Sequence, residues 1–430
     1  IDYGTNHFVA YNTIDDTATN GVYIYGASGG YEGSVRVYDN DITDAGYDGV
    51  YAGNTTALLI DYNTITGVGD DGVDVESSSE ADIAYNNNSI GVDNGPGSIG
   101  ENGIDVRGSD YAWIDSNWVY NTGLNGIYVN PSDYVTISNN DIHDVGADGI
   151  HVLEGIEASI TGNHVYNPGN DGIEVYDNDG VYIAGNTIEF TGANGILVSY
   201  SYGAEVDNNA VAGAGDASWS TGCYWYGCYD TPNADGIRLY DSDSSSVTNN
   251  TVSSVARNGI AMVYSDYGYV AGNYVHTIGT YGHPGNYFNT TSMSGEGIHL
   301  YDSDYNHVTD NTVWYTVSSG IGAYSSDYTD IDFNDVDDAG HNNPWYYWYS
   351  SGNGIVVQNS YDVSVDQNEI TDSMNNGVYG YSNGYLSVTA NTIDNSGYYD
   401  YGYGDGVHVD YGYDNRIAGN TITNSSNDGI

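Results

Sequence analysis

Apolar side chains along this chain fall two apart, in short runs broken by polar turns. The recurring unit is apolar-x-apolar-x-x-Asn-x-apolar, then a turn, then Asx-Gly-apolar-x-apolar. Val135 to Ile142, followed by Asp148-Gly149-Ile150-His151-Val152, is one clear copy. Val181 to Ile188, followed by Asn194-Gly195-Ile196-Leu197-Val198, is another. Residues two apart face the same side of a strand, and no continuous amphipathic helical pattern occurs. The anchor asparagines are read as Asn12, Asn40, Asn63, Asn88, Asn117, Asn140, Asn163, Asn186, Asn209, Asn250, Asn273, Asn311, Asn334, Asn368, Asn391 and Asn420. Their commonest spacing, as from Asn140 to Asn163, sets a basic coil of 23 residues with insertions.

A strand this short cannot bury its apolar face alone. Coils stacked about 4.8 Å apart bury columns of Val and Ile together and pair their backbones in parallel. An Asn at a fixed point of each coil can form an inward ladder. The Asx-Gly pair is expected to supply a turn where positive φ costs little. The fold class expected is therefore all-β: a right-handed parallel β-helix of about sixteen coils. It is read as one continuous solenoid over residues 1–430 and as a segment of a longer chain, because neither terminus reads as a cap.

These repeats resemble those of the pectate-lyase-like superfamily of right-handed parallel β-helices, including NosD-type proteins. The resemblance covers the whole chain and concerns the fold; that superfamily carries many functions. Its lyases typically use Lys or Arg as base or carboxylate clamp, and no lysine occurs here. The paired-Asp, Gly-His-Gly and Arg-x-Lys motifs of polygalacturonase-like hydrolases are missing, as is the Asp-Pro-His motif of alginate epimerases. Ten scattered histidines and three methionines do not make a NosD-like copper site.

Five coils carry long insertions, over 89–102, 210–235, 274–296, 335–353 and 392–405, all at the same corner of the repeat. Three are aromatic, with Trp219, Tyr224, Trp225 and Tyr226, then Tyr281, His283, Tyr287 and Phe288, then Trp345, Tyr346, Tyr347 and Trp348. Long loops on a rigid scaffold carry function, and aromatic rows suit sugar stacking or protein contact. Cys223 and Cys228 lie close enough in sequence to close a small loop as a disulfide in an oxidising compartment.

Charge narrows the partners. The chain holds 59 acidic residues against five basic ones, all arginine, for a formal net charge of −54. Such a field repels nucleic acid and anionic membranes and favours cations. Asp243, Asp266, Asp304 and Asp327 are expected to stack in successive coils beside a column of Tyr267, Tyr305 and Tyr328. Divalent cations, Ca²⁺ in particular, would relieve that repulsion; no cofactor is otherwise required. The outward position of the Asx-Gly strand reads Asp74, Asp105, Tyr128, His151 and Glu174 up successive coils. His151 and Glu174 are the candidate base and orienting carboxylate, with Asp105 and Asp74 beside them. The leading functional reading is a structural or adhesive segment of a large extracellular or cell-surface protein, such as a fibre, surface layer or stalk. Its partners would be copies of itself or other extracellular proteins. The alternative is a carbohydrate-binding or carbohydrate-active β-helix, of the polysaccharide lyase, hydrolase or epimerase kind.

Overall fold

The computed structural model describes residues 1–29, 34–89, 100–215, 234–279, 295–341, 352–397 and 404–430. Within them the chain forms strands and turns, without helix. It divides into two compact units, Ile1–Thr191 and Gly192–Ile430. Each unit is a parallel β-helix in which, among the described residues, eight strands line each of three sheets. The first coil of the first unit runs Asp2–Thr5 in sheet 1, Phe8–Ala10 in sheet 2 and Thr13–Thr17 in sheet 3. Every later coil visits the three sheets in the same order.

The interior is what the two-residue alternation demands. Ile127, Ile150 and Ile173 stack in register in sheet 1, as do Ile114, Ile137 and Ile160 in sheet 2, all fully buried. A flat Ile or Val column packs without voids when each coil repeats the same side chain at the same point. The residues between them point outward, most of them half-buried or exposed and a few, such as Asp105, buried, so each sheet presents two outward columns.

Corners carry the polar burden. Within each unit, between sheets 2 and 3, an anchor Asn with a coil on either side passes its amide to the coil above and accepts from the coil below. Asn117 Nδ2 donates to Asn140 Oδ1 at 3.0 Å, and Asn140 Nδ2 to Asn163 Oδ1 at 3.0 Å. The same Oδ1 atoms accept the backbone N–H of the preceding Asn, and the Nδ2 groups also reach carbonyls such as Ile114 O at 2.9 Å. Between sheets 1 and 2 serine plays this part: Ser78 N donates to Ser109 Oγ, and Ser109 N to Ser132 Oγ, both at 2.9 Å. Between sheets 3 and 1 the Asx of Asx-Gly does so, Asp171 N donating to Asp148 Oδ1 at 3.0 Å. Three buried ladders thus satisfy the backbone where sheet pairing is interrupted.

Two expectations need correction. The anchor of the fourth coil is Asn86, not Asn88: Asn63 Nδ2 donates to Asn86 Oδ1 and Asn86 Nδ2 to Asn117 Oδ1, both at 3.0 Å. In the triplet Asn86-Asn87-Asn88 only Asn86 keeps the three-residue offset from the inward Ile83, while Asn88 aligns with the apolar Ile65 and Val119. Second, the glycines of Asx-Gly do not serve positive φ. A Cβ on Gly126 would lie 2.5 Å from Ile142 Cγ2 and 2.6 Å from Gly149 O, so this corner demands glycine for close approach. Left-handed backbone falls instead on the residue before the anchor Asn, and bulky side chains take it: Tyr62 at φ 59°, Asn139 at 53° and Phe333 at 54°. Each such residue costs about 1–2 kcal/mol, a strain the ladder beside it offsets.

The long insertions fall between a strand of sheet 3 and a strand of sheet 1, as between Ala210–Ala212 and Ile237–Tyr240. Trp219, Tyr224, Trp225, Tyr226, Tyr281, His283, Tyr287, Phe288, Trp345, Tyr346, Tyr347 and Trp348 lie outside the described residues, as do Cys223 and Cys228.

Candidate functional site on the outer face of sheet 1

In the first unit the structure brings the expected column together. Asp74 aligns with Asp105, Asp105 with Tyr128, Tyr128 with His151 and His151 with Glu174. His151 Nδ1 lies 3.0 Å from Asp148 Oδ2 and 3.4 Å from Glu174 Oε2. Burial works against the imidazolium, but the hydrogen bond to Asp148 and the charge of Glu174 outweigh it and raise the His151 pKa. Glu174 is pushed up to about 7 by burial and by the charge of Asp148. Asp148 is itself held below the ordinary carboxylate range, since His151 overcomes its burial. An acid titrating near neutrality beside an imidazole is chemistry a proton transfer can use.

The lower part of that column is a knot of carboxyls. One oxygen each from Asp48, Asp71 and Asp74 falls within 4.8 Å of the others. Burial, then the charge of Asp105, pushes Asp71 up to about 8; burial, then Asp48, pushes Asp74 up to about 8. Asp48 and Asp105 rise to about 6, chiefly through burial. Asp105 bonds Asn102 Nδ2 at 2.9 Å and pairs with Arg107, and both pull its pKa back against its burial. Asp74 is read as protonated at neutral pH: its Oδ1 is buried without a partner, so ionising it would leave an uncompensated charge.

The second unit repeats the device. Three segments read acid-Gly-apolar-His: Asp148-Gly149-Ile150-His151 in the first unit, and Glu296-Gly297-Ile298-His299 and Asp405-Gly406-Val407-His408 in the second. In each, the buried corner carboxylate holds the outward His by Nδ1, at 3.0, 2.7 and 2.5 Å. The corner residue and the first outward residue stand three apart across a tight turn, which brings their side chains together. That bond fixes the ring through Nδ1. Arg238 takes the same place over Asp235, at 2.9 Å.

Above Tyr324 in the second unit lies a cleft of about 460 Å³. Its walls include Tyr324, Gln358 and Asp410 of one outward column and Val356, Tyr379 and His408 of the other, with Asn353, Asn376 and Asp405 at the corner. His408 is gripped at both nitrogens, Nε2 lying 3.1 Å from Asp410 Oδ2. Its pKa is raised, first by the hydrogen bond to Asp405. The Tyr324 hydroxyl donates to Glu296, and burial, then the Glu296 charge, drives its pKa up. Sequence reasoning missed this cleft; the acid three residues before His408 was the part of it that the sequence displayed.

The stacked column of Asp243, Asp266, Asp304 and Asp327 is formed, and its carboxylates accept backbone amides. Asp266 N donates to Asp243 Oδ1 at 2.8 Å; Asp304 N, Asp327 N and Tyr361 N donate to Asp266, Asp304 and Asp327 Oδ1 at 2.7 Å each. Each carboxylate caps the following coil. The tyrosine column stacks beside it, Tyr267 on Tyr305 at 4.9 Å and Tyr305 on Tyr328 at 4.7 Å between ring centroids.

A family model described as the right-handed beta helix region matches residues 1–99, 97–228 and 341–430. The chain belongs to the right-handed β-helix family. Residues 217–352 also match the model of NosD, a periplasmic copper-binding protein. Among the described residues of that span no three His, Cys, Asp or Glu ligand atoms lie within 4.8 Å of one another. No curated protein matches the chain. Among solved structures it is similar to the Dettilon tailspike protein gp208, at 15% identity and a TM-score of 0.46 over 69% of this chain and 55% of that one. It is similar to the periplasmic alginate epimerase AlgG at 12% and 0.39, over 85% of this chain and 77% of that one. The A-module of the Azotobacter vinelandii mannuronan C-5 epimerase AlgE4 gives 13% and 0.39, over 95% and 90%. The chain thus spans little more than half of the tailspike.

Proposed function

We propose that this β-helix protein is carbohydrate-active and works outside the cell, engaging a neutral glycan at the sheet-1 cleft of its second unit. The cleft itself carries the reading. It has the volume for one or two sugar rings, it is walled by amides and carboxylates that suit sugar hydroxyls, and it offers the faces of Tyr324 and Tyr379 for stacking. A net charge of −54 disfavours acidic polysaccharides. The raised pKa of His408 favours its charged form, and its Nε2 proton, held by Asp410 in the unbound cleft, is the one a glycosidic oxygen would compete for.

Affinity electrophoresis against neutral, amino and acidic polysaccharides tests this. Retention by a neutral glycan that Tyr379→Ala abolishes, with the melting curve intact, supports the reading. Retention unaffected by Tyr379→Ala refutes it. Release of reducing ends lost in His408→Ala would make the protein a hydrolase; retention without release would make it a binding module.

A structural or adhesive role is the second reading. The observation favouring it is the aromatic surface spread over many coils rather than gathered at a cleft: Tyr267, Tyr305, Tyr328, Tyr361 and Tyr385 follow one another along one edge. Filaments seen by electron microscopy of the native material, together with no retention by any glycan, would favour it.

A further inference from the structure

The outer face of sheet 3 in the first unit carries a cluster that the glycan reading leaves unused. In its register Asp141 aligns with His164, and His143 with Tyr166 and then Glu189. Asp141 and His143 stand two apart on one strand, so both point outward, and His164 stands directly over Asp141. Asp141 Oδ1 lies 2.6 Å from His143 Nε2 and 2.8 Å from His164 Nδ1. The two imidazoles meet edge to face, 5.2 Å between centroids at 85°. One ligand atom from each of the three residues lies within 4.8 Å of the others.

We propose that Asp141, His143 and His164 bind a first-row divalent transition-metal ion. One carboxylate oxygen flanked by two ring nitrogens is the donor set of a two-histidine, one-carboxylate site. A tetrahedral ion with bonds of about 2.0–2.2 Å needs ligands about 3.3 Å apart. Small χ rotations at this half-open surface open the present contacts to that distance. The site also has an outer partner: His164 Nε2 lies 3.4 Å from Glu189 Oε2. Metal on Nδ1 leaves the Nε2 proton for Glu189, which fixes the tautomer and strengthens the ligand. Two imidazoles select Zn²⁺ and its neighbours over Ca²⁺ and Mg²⁺, which take oxygen. The exposed side leaves a coordination position for water. These residues lie outside 217–352, so the site is separate from the NosD match.

Zn²⁺ is the probe, titrated calorimetrically into the full chain after chelator treatment, with excess Ca²⁺ occupying carboxylate-only sites. The expected result is a Zn²⁺ ion that Ca²⁺ does not displace. Glu189→Gln should weaken it about 10–100-fold, and His143→Ala and His164→Ala, which remove ligands outright, should each weaken it more. Unchanged melting of the metal-free variants shows that folding is intact. His151→Ala should leave this ion in place, which separates it from the Asp148–His151–Glu174 cluster. Cu²⁺ loaded at one equivalent should show two coupled nitrogens by electron paramagnetic resonance, falling to one in either His variant. Equal uptake by wild type and both variants, displacement by Ca²⁺, or loss in His151→Ala alone would overturn the proposal.

Discussion

Replacing Asn140 by alanine tests how far the polar ladder holds the coils together. The side chain makes four bonds: Nδ2 to Ile114 O and to Asn163 Oδ1, and Oδ1 from Asn117 N and Asn117 Nδ2, all between 2.9 and 3.0 Å. Alanine removes all four. Asn117 Nδ2 keeps Ile83 O at 2.8 Å, and Asn163 Oδ1 keeps the Asn140 backbone amide at 3.0 Å. The Asn117 amide, by contrast, loses its acceptor in a buried site. An orphaned buried donor costs about 1–3 kcal/mol and each lost bond about 0.5–1.5 kcal/mol. The expected loss is about 3–5 kcal/mol, a large part of the roughly 5–15 kcal/mol that holds a typical domain. Urea unfolding followed by circular dichroism measures it. Ser159→Ala, at an outward position of the adjoining sheet, should shift stability by no more than about 0.5 kcal/mol. A loss below about 1 kcal/mol for Asn140→Ala would refute the claim that the ladder contributes materially.

Three further outcomes follow from particular groups. Asp74, with its pKa raised from 3.8 to about 8, adds stability that is complete below pH 4 and lost as pH rises towards 8. Asp74→Asn should therefore gain on the wild type by about 1–3 kcal/mol between pH 5 and pH 8, read from melts at each pH. Asp304 caps the Asp327 amide, so Asp304→Asn, which keeps the acceptor, should melt near the wild type while Asp304→Ala loses about 1 kcal/mol. Chelation that lowers the wild-type melting temperature in low salt would add an ion-bridging role to that column. For His408, whose pKa is raised, glycan retention should weaken as pH rises through the folded-state pKa, and His408→Gln should flatten that profile in pH-stepped affinity electrophoresis.

Most of the fold was legible because a stacked coil writes its geometry into every repeat. Ile137 and Asn140 keep the same offset as Ile160 and Asn163, so register, core and ladder were fixed by spacing alone. The reading failed where one coil offered several candidates, as in Asn86-Asn87-Asn88. It also failed on why glycine follows Asx: composition suggests turn freedom, whereas the requirement at Gly126 is room against Ile142 and the next coil. The site was half legible. Alternation put His151 over Glu174 correctly, but a corner side chain such as Asp148 or Asp405 reads as turn chemistry until the turn is seen to fold it beneath the outward His. The cleft depended on which outward columns left space, a property of side chains from several coils that no single repeat displays.

The most direct test of the functional reading is amide hydrogen exchange of the full chain, with and without a saturating neutral polysaccharide. Slowed exchange confined to Ile321–Tyr324, Ile355–Gln358, Val378–Tyr381 and Val407–Asp410, the strands that line the cleft, is the predicted result. Protection elsewhere with these four strands unchanged, or no protection with any neutral glycan, would contradict it.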